Sequence, residues 1–159
     1  MKTFRIKPHH MIFHEKVRQA CKSCKHYGKK ATCPPYAESI DYYKKLFESY
    51  THCVICYKEF KADQTNWQEV SRQSSLELHK FLLKRRQDLI DSGHYFYAIF
   101  GAGSCKLCKE CTIPCKNPGQ SIMPLEGTGL DVVATMKSRI DIKFPVKGTF
   151  YRVGAIFYD

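Results

Sequence analysis

Four cysteines in one short run, Cys105, Cys108, Cys111 and Cys115 within GAGSCKLCKECTIPCKNP, constrain this chain more than any other feature. Their spacing is C-x2-C-x2-C-x3-C, the run with which bacterial ferredoxins hold cubane iron–sulfur clusters. Three thiolates at i, i+3 and i+6 can wrap one cluster in a single tight loop. In two-cluster ferredoxins the last cysteine of such a run serves the other cluster, so Cys115 is expected to face a different site from its three neighbours.

A second group lies upstream. Cys21, Cys24 and Cys33 stand at C-x2-C-x8-C in ACKSCKHYGKKATCPPY. The C-x2-C pair is a common metal knuckle, and Tyr27-Gly28 offers a turn that returns Cys33 to the same metal. Pro34 follows Cys33 as a proline ends the ferredoxin run; its fixed φ and missing N–H suit a residue packed against a cluster. The expected partition is Cys21, Cys24, Cys33 and Cys115 for one site, and Cys105, Cys108 and Cys111 for the other. Exchanging Cys33 and Cys115 satisfies the same logic.

A second C-x2-C, Cys53 and Cys56, falls in HCVICYKEF, which reads as a strand. Residues three apart on a strand face opposite ways, so these two sulfurs do not meet at one metal without a bulge. Both read as small core residues. Cys53, nearer the strand start, is the candidate for a remote fourth ligand to Cys105, Cys108 and Cys111. His9, His10 and His14 cluster near the start, but no cysteine stands at ligand spacing beside them, and they are left outside the expected sites.

Nine cysteines in a chain whose first residues lack an apolar leader favour metal ligation over disulfides and a cytoplasmic location, because cytosolic thiols are kept reduced. No apolar stretch approaches the roughly 18 residues of a membrane span. At 159 residues, 43% of them hydrophobic, a single folded domain over 1–159 is expected. The formal charge of +11 counts thiols as neutral; two four-thiolate clusters would bring it to about +7. The remaining surplus reads as a solvated Lys/Arg surface or as a face for an acidic redox partner protein. Nucleic acid is the lesser reading.

Apolar residues at three- and four-residue steps predict a helix in Ala37–Tyr50 and a long one in Asn66–Ser92, ended by Gly93. His94–Phe100 and Thr149–Tyr158 read as strands, the latter inside the sheet, and Thr128 reads as the N-cap of a helix through about Arg139. Strand, helix, strand from His52 to Phe100 predicts a crossover with two parallel strands, so that the cysteine run leaves the carboxyl end of a strand. The expected class is α/β or α+β, a small mixed sheet with flanking helices and cysteine-rich cluster-binding loops.

The combination of C-x2-C, Tyr27-Gly28 and C-P-P with the later cysteine run, Ser121, Glu126 and Gly129-Leu130-Asp131-Val132 resembles a bacterial and archaeal family of small cysteine-rich "predicted metal-binding" proteins, a domain of unknown function. The resemblance runs from Cys21 to the final strand. It implies metal binding without naming a reaction, and its occurrence mainly in anaerobes implies oxygen-sensitive iron–sulfur chemistry. Lys116 and Glu126-Gly127 stand where family sequences often carry Arg and Glu-Ala.

Three functions follow as expectations. The first is an iron–sulfur protein with one or two 4Fe-4S clusters, acting in electron transfer or as a redox accessory or subunit of a larger enzyme. The second is a structural-zinc module whose basic surface contacts nucleic acid or protein, and the third an enzyme with an open iron site on its cluster. No general acid, base or nucleophile can be argued from spacing.

Overall fold

In chain order the elements are β1 (Lys2–Ile6), α1 (Glu15–Ala20), α2 (Ile40–Glu48), β2 (His52–Lys61), α3 (Trp67–Asp91), β3 (Tyr97–Gly101), β4 (Met123–Pro124), α4 (Val132–Lys137) and β5 (Thr149–Tyr158), with three short 3-10 turns between them. The computed structural model describes residues 1–159. Its strands form one mixed sheet in the order β1-β2-β5-β3-β4. β5 pairs antiparallel with β2 along its full length, from Thr149 opposite Lys61 to Tyr158 opposite His52. It pairs antiparallel with β3 on its other side. β2 and β3 therefore run parallel, as the crossover reasoning expects, with the C-terminal strand inserted between them.

Period-two alternation assigns the faces. Ile55 of β2, Val153, Ala155 and Phe157 of β5 and Phe100 of β3 point to one side, where α2 lays Tyr43 and Phe47. Cys56 and Ile156 point to the other, against Leu78 and Leu82 of α3. Cys53 joins the first cluster and Cys56 the second, so the two sulfurs of this C-x2-C are on opposite faces of the sheet. Phe47, fully buried, stacks on Phe157 with ring centroids 4.2 Å apart and meets Phe100 edge-on at 4.9 Å. Gly154 lets α3 lie close: a Cβ there would sit 2.9 Å from the Phe100 carbonyl oxygen and 3.1 Å from the Cys56 sulfur.

Local chemistry moves some boundaries. α2 begins at Ile40 because the Ser39 hydroxyl caps it, accepting from the Tyr42 N–H at 3.1 Å. Gly93 ends α3 at φ +84°, but His94 N–H then returns to Leu89 O, so β3 begins only at Tyr97. Thr128 is not an N-cap. Its buried hydroxyl donates to Leu125 O at 2.6 Å within a 3-10 turn, and Asp131 caps α4 instead, accepting from Ala134 N–H at 2.9 Å.

The cysteine run leaves the carboxyl end of β3, and the chain returns as β4 beside that strand, parallel to it. α3 fastens the far end of this excursion: His79 bonds Gln120 O at 2.8 Å and Arg86 donates to Gly119 O. Removing the Phe47 ring should leave a cavity between three elements, costing about 3–5 kcal/mol. Phe47→Ala is expected to lower the melting midpoint by about 10 °C or more; a loss of only a degree or two in a thermal scan would contradict this account of the core.

Candidate metal centre

The upstream group is built by two turns. Cys21 ends α1 and opens a 3-10 turn through Ser23, which Cys24 closes by donating its N–H to Cys21 O at 3.0 Å. Gly28, at φ +68°, donates to Pro34 O at 2.9 Å, which folds the intervening loop back on itself. Only a residue without a Cβ adopts that conformation freely. Cys33 is thereby brought into the field of Cys21 and Cys24, which are among the groups acting on its thiol. Burial, foremost, pushes Cys33 up to about 11, and Cys24 and Cys21 add to the rise. Burial likewise raises Cys21, and Arg18 opposes that. Cys24 is exposed.

The downstream group closes on itself. Cys105, Cys108, Cys111 and Cys115 line one small cavity together with Ala31 and Thr32 of the upstream loop. Its volume is about 10 Å³, room for at most one water or ion. Two N–H groups already point at its sulfurs: Ala31 N–H lies 3.4 Å from Cys111 Sγ and Asn117 Nδ2 lies 3.1 Å from Cys108 Sγ. The structure thus gathers seven cysteines at one end of the molecule, three on the first loop and four on the second. It sets Cys115 with Cys105, Cys108 and Cys111 around that cavity, with Thr32, the chain neighbour of Cys33, on its wall.

Cys53 is brought to neither group. It is 2% exposed in the core, and in register it stands level with Phe157, which in turn faces Ala98 near the start of β3. The cysteine run leaves from the other end of that strand. Burial raises the Cys53 thiol strongly and pushes Cys56 up to about 12. His14 accepts from Lys16 N–H as the cap of α1.

Positive charge surrounds both loops. Burial lowers Lys106, and Arg152, Lys30 and Lys25 lower it further, Cys105 alone opposing. His26 is lowered by burial and then by Lys106, Lys25, Lys30 and Lys29. The chain's ion pairs, Lys44–Asp41, Lys58–Glu77 and Arg85–Asp88, all lie elsewhere. Arg152 is held by Ser74 Oγ at 3.0 Å and Ser71 O at 2.9 Å, against Gly103. The one carboxyl at this end with a resolved shift is Glu126, raised by burial against the pull of the Glu126 and Gly103 backbone amides and Arg152.

Two buried side-chain oxygens lack any partner, Thr32 Oγ1 and Glu126 Oε2, and both belong to this end of the fold. Unpartnered buried polar groups cost free energy and point to something missing from the protein alone. Soft thiols, N–H donors to sulfur and surplus cations fit a group that binds thiolates and carries net negative charge. No three His, Cys, Asp or Glu side chains yet converge closely enough to hold an ion.

The fold and this end of it define a mixed α/β protein with a cysteine-rich candidate metal centre. The chain belongs to the family described as "predicted metal-binding protein (DUF2284)", a domain of unknown function, whose model matches residues 4–157. No curated protein and no solved structure matches it. No helix is long and apolar enough to cross a membrane.

Sequence reasoning gave no role to Ala31, Thr32, Asn117 or Arg152. The sulfur contacts depend on how two distant loops meet, which no local spacing signals. In metal-free protein at pH 8, iodoacetamide should modify exposed Cys24 early. Cys53 and Cys56 should stay unmodified until denaturant is added, since a raised thiol yields little thiolate below its pKa. Peptide mass spectrometry reads the order, and early modification of Cys53 would place it outside the core.

Proposed function

We propose that this chain, as one domain, binds 4Fe-4S clusters through its cysteine loops and serves in electron transfer, or as a redox accessory of a larger enzyme. One cluster is assigned to Cys105, Cys108, Cys111 and Cys115, and a second to Cys21, Cys24 and Cys33. The observation that carries the reading is the closure of four thiols of ferredoxin spacing on one cavity, with N–H donors on their sulfurs and unpaired cations around them. Bound there, such a cluster supplies one-electron transfer at a potential set by burial, N–H donors and net charge.

The chain's own residues do the rest. Ala31 N–H and the Asn117 amide stabilise negative charge on Cys111 and Cys108. Lys25, Lys30, Lys106 and Arg152 offset the charge that arises when thiols ionise. The cavity is too small for a cubane as it stands, so loading must part the loop 105–115 from Ala31 and Thr32. Basic residues around the loops suit an acidic docking face on a redox partner.

The cavity's size also supports a second reading, a single structural zinc ion on the same four thiols, with the basic surface contacting protein or nucleic acid. One sample separates the two. Anaerobically purified protein, analysed for iron, sulfide and zinc beside its absorption spectrum, should show a broad band near ~400 nm and about eight irons per chain. Cys108→Ser with Cys111→Ser should remove about half of that iron. Colourless protein with stoichiometric zinc would replace the cluster reading by the zinc one, and protein with no metal would overturn both.

A further inference from the structure

A cavity of about 290 Å³ adjoins the elements that carry the cysteines. Val17 of α1 lines it, one turn before Cys21, and so does Ala102, just after β3, where the cysteine run begins. Glu126 lines it too, and the Glu126 carbonyl oxygen lies 3.9 Å from Cys21 Sγ. The rest is built from the sheet and from α4: Tyr151 and Val153 of β5, and Val133 and Met136 of the helix. Ile142 and Phe144 add a wall from the irregular connection between α4 and β5, which Lys137 ties to the helix by donating to Phe144 O at 2.9 Å.

Size and charge together say what such a space can hold. Close-packed interiors leave few voids larger than a water molecule, and an apolar cavity of ~150 Å³ already admits benzene. This one is far larger, and eleven of its thirteen lining residues are apolar, so water gains little there. The other two are Glu126 and Asp131: a chain of net charge +11 lines this cavity with two acids and no Lys, Arg or His. Both acids are already answered from within the protein. Asp131 accepts from Ala134 N–H at 2.9 Å as the cap of α4, and Arg152 and the Gly103 amide, neither of them in the lining, act on Glu126. The Tyr151 hydroxyl is spent on Glu59 Oε2 at 2.8 Å. The lining therefore offers apolar contact to an occupant and no cation to receive an anionic one.

We propose that this cavity is a binding site for a small, uncharged, mainly apolar molecule of about bicyclic aromatic size, and that it rejects anions of the same shape. The inference goes beyond the metal-binding reading and does not depend on it, because no cysteine lines the cavity. Affinity comes from burying the ligand's apolar surface in a preformed, poorly hydrated space. Selectivity comes from the two acids, since a carboxylate taken out of water beside Glu126 and Asp131 loses its hydration and gains no cation in return. An occupant shares α1 and Glu126 as a common wall with Cys21, which places it alongside the upstream thiols.

The test is calorimetric titration of anaerobically purified protein, at whatever metal content it carries, with 2-naphthol and with 2-naphthoate at pH 7. Wild type should bind naphthol saturably at a single site, and naphthoate roughly tenfold more weakly or not at all. Val133→Phe, which places a ring in the cavity, should weaken naphthol by roughly tenfold with metal content unchanged. Glu126→Gln removes one of the two charges and should narrow the preference for naphthol over naphthoate. No saturable binding of naphthol, equal binding of the two probes, or wild-type affinity in Val133→Phe would each overturn the proposal. Should Val133→Phe fail to fold, Glu126→Gln decides: a narrowed preference supports the site, and an unchanged preference rejects it. None of these outcomes bears on iron, sulfide or zinc content, so the metal-binding reading stands or falls separately.

Discussion

Thiols that ionise side by side repel one another, and in this protein the opposing charge is a group of cations, Lys25, Lys30, Lys106 and Arg152, that enters none of the chain's ion pairs. Beyond burial, Arg152, Lys30 and Lys25 lower Lys106, and Lys106, Lys25 and Lys30 lower His26, while Arg152 also attracts the Glu126 carboxyl. Such an arrangement is costly in the empty protein and becomes favourable once the sulfurs carry charge. Metal binding and the folding of this end are therefore linked. The upstream loop is held by its own backbone bonds, among them Gly28 N–H to Pro34 O and Cys33 N–H to Lys30 O, whereas the run 105–115 is held mainly by side chains and by its contact with Ala31.

The sheet makes this possible by keeping the unstable part away from the stable one. β5, the last strand, is central and pairs along its whole length with β2, while Phe47 stacks on Phe157 beneath it. The aromatic core thus forms around strands whose far ends carry the loops. The excursion between β3 and β4 is tied back by α3 through His79 and Arg86, and the upstream loop by Arg18. Arg152 joins the layers, reaching from β5 to Ser71 and Ser74 of α3 beside Gly103. Positioning of the cysteines is a property of these side-chain anchors more than of the loop backbone.

Much of this was legible in the sequence because it depends on local periodicity. The three-residue offset of Cys53 and Cys56 on an alternating strand placed them on opposite faces, and they lie there. The long helix ending at Gly93 and the apolar strand at Thr149–Tyr158 follow from the same kind of signal. Boundaries failed where a side chain outcompeted the pattern, as when the Thr128 hydroxyl turned to Leu125 O and left capping to Asp131. The order of strands was not legible. Inserting β5 between β2 and β3 depends on long-range pairing that no local spacing records.

The candidate site was legible as a set of ligand types and illegible as a partition. Ferredoxin spacing sends the last cysteine to another cluster, yet here Cys115 faces the cavity of its own run. In this chain the two loops abut through Ala31 and Thr32, which line the cavity that the four cysteines of the second loop share. Their meeting joins Ala31 to Cys111, 80 positions apart, a contact that no local spacing records.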